Sequence, residues 1–109
     1  MIRVILSTDV WLEGGGEYIV AGEVVANDND ESITRRDHVA VFLPRVAKLI
    51  KRDLLGARAV VDIQHRRCPV RLLHIGDDRL HLHKGMYLGD IETCQFPEAY
   101  CRNLWCFIA

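Results

Sequence analysis

No apolar run in this 109-residue chain approaches the ~20 residues that a membrane-spanning helix needs. The apolar opening from Met1 to Leu6 meets Ser7, Thr8 and Asp9 at once, which is too short and too polar for a signal peptide. A cytoplasmic protein without membrane association is therefore expected. Cys-x-x-Cys spacing is also missing. The four cysteines, Cys68, Cys94, Cys101 and Cys106, crowd into the last part of the chain, and in a reducing compartment free, largely buried thiols are the expectation.

Catalytic motifs are missing as well. There is no Gly-x-Ser-x-Gly, no His-Glu-x-x-His and no phosphate-binding loop. Cys68 stands among cations in His65-Arg66-Arg67-Cys68-Pro69, which would favour a thiolate. The position six residues later is His74 rather than the arginine of phosphatase loops. Asn27 to Ser32 has the Asp-x-Asp spacing of a calcium loop but lacks its sixth-position glycine and its twelfth-position glutamate. An enzyme is not the leading expectation, and no cofactor is expected.

What the first 34 residues lack most is positive charge. Arg3 stands there against seven acids, for a net of −6, whereas residues 35–84 carry twelve Lys and Arg against five Asp, for a net of +7. The remainder holds Arg102 against three acids, and the blocks cancel to an overall −1. Charge segregated in this way shapes the outer field and the choice of partners rather than the fold.

With half its residues hydrophobic and 27% charged, the chain has the composition of one globular domain over residues 1–109. Residues 2–12 and 17–25 alternate loosely, with Tyr18, Val20, Gly22 and Val24 on one face, and Gly14, Gly15 and Gly16 between them suggest a hairpin turn. Thr34 and Asp37 resemble a helix N-terminal cap. From there the spacing predicts a helix over 35–55, kinked or divided at Pro44 and ended by Gly56. Val39, Leu43, Val46, Ile50 and Leu54, with Phe42 and Leu49 at the margins, would form its core face.

A strand is expected at 57–64. A second hairpin is expected around Asp77 and Asp78, pairing Ile75 with Leu80, His74 with His81 and Leu73 with Leu82. That register buries Leu73 and Ile75 and groups His74, His81 and His83 on the opposite face. Further strands are expected at 86–92 and in the apolar tail Leu104 to Ile108, with a helical turn from Pro97. The expected fold is thus α+β, a largely antiparallel sheet of about five to six strands packed on one main helix at 35–55.

Three constellations bear on function. On the helical wheel Arg45, Lys48, Lys51 and Arg52 crowd one face, with Val41 and Leu55 among them, and Arg58, Arg66, Arg67 and Arg71 extend the basic block. Apolar residues among the cations suit a protein interface better than a phosphate groove, and the basic block has no interleaved aromatic residues to stack bases. The leading expectation is a non-enzymatic regulatory module that binds a protein partner, or a second copy of itself as a homodimer. Its binding face would be Arg45, Lys48, Lys51, Arg52, Arg58, Arg66, Arg67, Val41 and Leu55, with Trp11 or Trp105 as further apolar anchors. Nucleic-acid binding through the basic block 45–71 is the alternative, and a zinc- or thiol-dependent enzyme the third reading. No metal is expected, since strand alternation alone puts polar residues on an outer face. Were one held, His74, His81 and His83 would be the ligands.

Overall fold

The computed structural model describes residues 2–25 and 38–93. In chain order these form β1 (Ile2–Leu6), β2 (Val10–Leu12), β3 (Glu17–Val25), β4 (His38–Pro44), α1 (Val46–Ile50), β5 (Leu54–Gly56), β6 (Ala59–Ile63), β7 (Arg67–His74), β8 (Leu80–Leu82) and β9 (Tyr87–Thr93). Seven strands make one sheet in the order β5-β7-β3-β1-β9-β4-β6, and β2 and β8 form a separate ribbon. Every pairing is antiparallel.

Alternation decides which residues meet. Val4 and Leu6 of β1, Val20 and Val24 of β3, and Cys68, Val70 and Leu72 of β7 point to one side and are buried together. Phe42 of β4, Ile63 of β6 and Ile91 of β9 complete this interior from the other half of the sheet. Leu12 and Leu82 of the ribbon and Leu49 of α1 belong to the same core. Gly22 lies inward where β1 and β7 come close, since a Cβ there would stand 2.6 Å from Val4 Cγ1 and 3.0 Å from Val70 Cγ2. A larger residue at that position would force the strands apart.

The sheet curls because β6 and β7, far apart in the strand order, are joined by a two-residue turn. Gln64 and Arg67 exchange both backbone hydrogen bonds (2.9 Å each), and the two residues between them, His65 (φ 52) and Arg66 (φ 62), are left-handed. Two consecutive positive φ values define the tight hairpin turn whose twist suits antiparallel strands. Beyond the turn the seam stays open. His74 donates to the Gly16 carbonyl (2.8 Å) and Val24 to the Arg66 carbonyl (2.7 Å), so even-numbered residues of β7 bond to β3 and odd-numbered ones face the seam. Pro69 is one of these, and it has no N–H to offer β6.

The main helix is the largest correction to the sequence reading. The fold is mostly antiparallel β rather than α+β on a helix at 35–55; that span forms β4, the five-residue α1 and β5. Val39 to Leu43 is continuously apolar, so it satisfies a 3.6-residue and a two-residue period alike, and its two β-branched valines favour the strand. Pro44 ends β4 instead of kinking a helix, and α1 retains one turn, in which Leu49 donates to the Arg45 carbonyl (3.0 Å). Val46 and Ile50, expected in the core, are exposed.

Pairing differs too. β1 does meet β3, with Val4 opposite Val24, but β2 leaves the expected hairpin to pair with β8. The second expected hairpin does not form: β7 lies between β3 and β5, which leaves Leu73 and Ile75 outside and buries His74. The odd-numbered set of β7 carries Arg67 and Arg71 and faces outward, whereas Cys68, Val70, Leu72 and His74 face the core. The inward set is the one whose partners across the ladder are Tyr18, Val20 and Gly22. The strands expected at 57–64 and 86–92 match β6 and β9. The Asn27 to Ser32 loop, the Thr34 cap, Pro97, the tail strand, Trp105 and Cys94, Cys101 and Cys106 lie outside the described residues.

Candidate functional site

The cations expected on one helix face separate into different places, because a single helical turn cannot hold them in line. Arg45 precedes α1 and Lys48 lies within it, and both reach the ring of Tyr87 on β9, at 4.9 Å and 5.2 Å from its centroid. Arg3 of β1 joins them at 5.3 Å. Lys51 is exposed in the turn after α1, while Arg52 folds back to donate to the His81 carbonyl (3.0 Å) and to contact Met86 Sδ (3.7 Å). Arg58 stands exposed between β5 and β6, and Arg66 and Arg67 belong to the β6–β7 turn. Val41 is half-buried in β4, between Val60 of β6 and Glu92 of β9.

Part of the charge segregation is internal compensation. Glu17 pairs with Arg71 (3.1 Å) and Glu13 with Arg79 (3.2 Å), both at the surface, where such pairs contribute about 0 to 1 kcal/mol. The group around Tyr87 is not compensated in this way. Among the described residues no carboxylate lies within ion-pair distance of Arg3, Arg45 or Lys48. The nearby carboxylate is the buried Asp90, which accepts the Tyr87 hydroxyl. Burial and the Asp90 charge push the Tyr87 hydroxyl above its usual range, against the opposing pull of Arg45 and Arg3. Among the described residues, three cations on one half-buried ring, facing one carboxylate, make a local positive excess suited to an anionic group.

The second feature is apolar. On the outer face of β3, β7 and β5 stand Ile19 (67% exposed), Leu73 (40%), Leu55 (40%) and Ile75 (47%). Register makes them neighbours: Leu73 lies opposite Leu55, Ile19 lies opposite Arg71, and Ile75 follows the end of β7. The Glu17–Arg71 pair crosses diagonally between Ile19 and Leu73. Next to Ile19 the open seam forms a cleft of about 220 Å³, lined also by Val60, Val61 and Pro69. Leu55 is the one member that sequence reasoning named. Ile19 was legible, since it alternates with the inward Tyr18 and Val20; Leu73 and Ile75 were assigned to the core by the wrong hairpin.

The histidines divide. His74 is buried, with Nδ1 2.9 Å from the Glu13 carbonyl, so that nitrogen carries a proton and pins β7 to the turn after β2. It takes no part in a group with His81 and His83. Those two lie 4.2 Å apart between ring centroids, and Asp9 completes a cluster whose ligand atoms all lie within 4.8 Å of one another. Sequence spacing gave no sign of Asp9, because only the β2–β8 register brings it opposite His83.

Cys68 is not an activated nucleophile. It faces the core, and burial pushes its thiol up from 9.0 to about 11, opposite to the effect expected from the neighbouring arginines, whose side chains point outward. Among the described residues no helix is long and apolar enough to cross a membrane. No protein-family model, no curated protein and no solved structure matches this chain.

Proposed function

We propose that this protein is a non-enzymatic binding module whose partner is another protein, docked on the outer face of β3, β7 and β5. The observation that carries this reading is the exposure of Ile19, Leu55, Leu73 and Ile75 on neighbouring strands. Single exposed apolar residues need no explanation, but four on neighbouring strands, with the mutually neutralised Glu17–Arg71 pair among them, have the make-up of an interface. Arg67 on the same face of β7 supplies charge that orients a partner, while the apolar side chains supply the area.

The test is a capture from source lysate with three proteins: the natural chain, an Ile19→Asp/Leu73→Asp variant, and a Val46→Lys/Ile50→Lys control on the exposed side of α1. A protein captured by the first and third, lost on the second and indifferent to nuclease is the expected result. Equal capture by all three overturns it. Sedimentation of the purified chain, with and without the face substitutions, distinguishes a second copy from a different partner.

The Tyr87 cluster favours nucleic acid as a second reading. Sequence reasoning weighed against it for want of aromatic residues among the cations, and folding supplies Tyr87 to Arg3, Arg45 and Lys48. Retention on nucleic acid that falls steeply with salt and is lost in Arg3→Glu/Arg45→Glu/Lys48→Glu would support this reading. No retention at low salt would end it.

A further inference from the structure

The β2–β8 ribbon places Asp9, Trp11, His81 and His83 on one face. Trp11 is directly opposite His81, and the register continued by one residue sets Asp9 opposite His83. Two neutral imidazoles and a carboxylate are a ligand set for a borderline transition metal, whereas calcium and magnesium take oxygen donors.

Their positions are held by neighbours, as metal ligands need to be. The Lys84 amide donates to Asp9 Oδ1 at 2.6 Å, which leaves Oδ2 directed at His81 Nε2, 4.0 Å away. The His81 ring lies flat on Trp11, with 4.2 Å between centroids and 8° between planes. Arg79 covers that indole at 4.5 Å and is tied to Glu13, and Arg52 holds the His81 carbonyl. Thus the carboxylate and one imidazole are fixed, and the exposed His83, in ring contact with His81, brings a third ligand atom within 4.8 Å of theirs. We propose that Asp9, His81 and His83 form a binding site for a divalent transition metal such as Zn²⁺, with the remaining coordination positions open to water.

Such a site clamps the two ribbon strands together, so metal bound to the folded chain alone raises its melting temperature. The experiment is calorimetric titration of the full chain with Zn²⁺, repeated on His83→Ala and Asp9→Asn. It is joined by the absorption spectrum of the Co²⁺ form. The expected result is one equivalent bound by the natural chain, affinity at least about ten-fold lower in each variant, and no thiolate-to-cobalt charge-transfer band. Both substituted side chains are exposed and outside the core, so unaltered melting of the metal-free variants will show that they fold. Binding unaffected by both substitutions, a cobalt spectrum dominated by thiolate, or no binding at 100-fold excess of Zn²⁺ would each overturn the proposal.

Discussion

Trp11 and His81 lie face to face across the β2–β8 ribbon, 4.2 Å apart and within 8° of parallel. A two-stranded ribbon of three residues a side has few backbone bonds to hold it, so cross-strand side-chain contact carries much of its local stability. In a urea-denaturation cycle of Trp11→Ala, His81→Ala and the double variant, a coupling of about 0.5 to 1 kcal/mol is expected. Additive losses would show that the stack contributes nothing beyond burial.

Two glycines are expected to respond differently to alanine. A Cβ on Gly89 would run into the Leu43 carbonyl oxygen and the Phe42 ring, so Gly89→Ala forces β9 away from β4 and should cost about 3 kcal/mol or more. At Gly15, which has φ +69 and open space around it, Gly15→Ala meets only the left-handed backbone penalty of about 1 kcal/mol. Equal losses in thermal unfolding would contradict this ranking.

The β6–β7 turn holds two non-glycine residues at positive φ. Arg66→Gly removes one such penalty without touching the Gln64–Arg67 bonds, and should stabilise the fold by roughly 0.5 to 1 kcal/mol despite the added freedom of the unfolded chain. A lower denaturation midpoint would indicate that the Arg66 side chain contributes more than its backbone costs.

Alkaline stability should carry the signature of Cys68. Its folded thiol, raised to about 11, lies above the unfolded value of 9.0, so the unfolded chain loses its proton first. The contribution is absent below about pH 9, and stability falls as pH rises from there toward about pH 11, by about 2 to 3 kcal/mol in full. Cys68→Ala keeps the titration of Tyr87 and abolishes only this part. The difference between the two proteins across that window is the measurement, and parallel curves would refute the assignment.

Much of the strand content was legible. The inward set Val20, Gly22 and Val24, the strands at β6 and β9, and the outward Ile19 follow from alternation alone. Residues 38–44 form a strand where a helix was expected because Val39 to Leu43 fits either period, and the deciding term, pairing of β4 with both β9 and β6, is tertiary. The candidate sites were legible in part. Leu55, Arg45, Lys48, His81 and His83 were named, whereas Arg3, Tyr87 and Asp9 join them through strand order.

Local terms can be read from the residues alone: which of them alternate, where glycine permits a turn, and how charge divides along the chain. These depend on neighbours a few residues apart, whose spacing the backbone fixes. Tertiary structure alone sets which strands pair, that Glu17 and Glu13 offset Arg71 and Arg79, and that Asp9 comes opposite His83. The physical reason is that alternation specifies a face and not a partner. Partners are chosen by the packing of all inward side chains at once, a cooperative term that no local window contains.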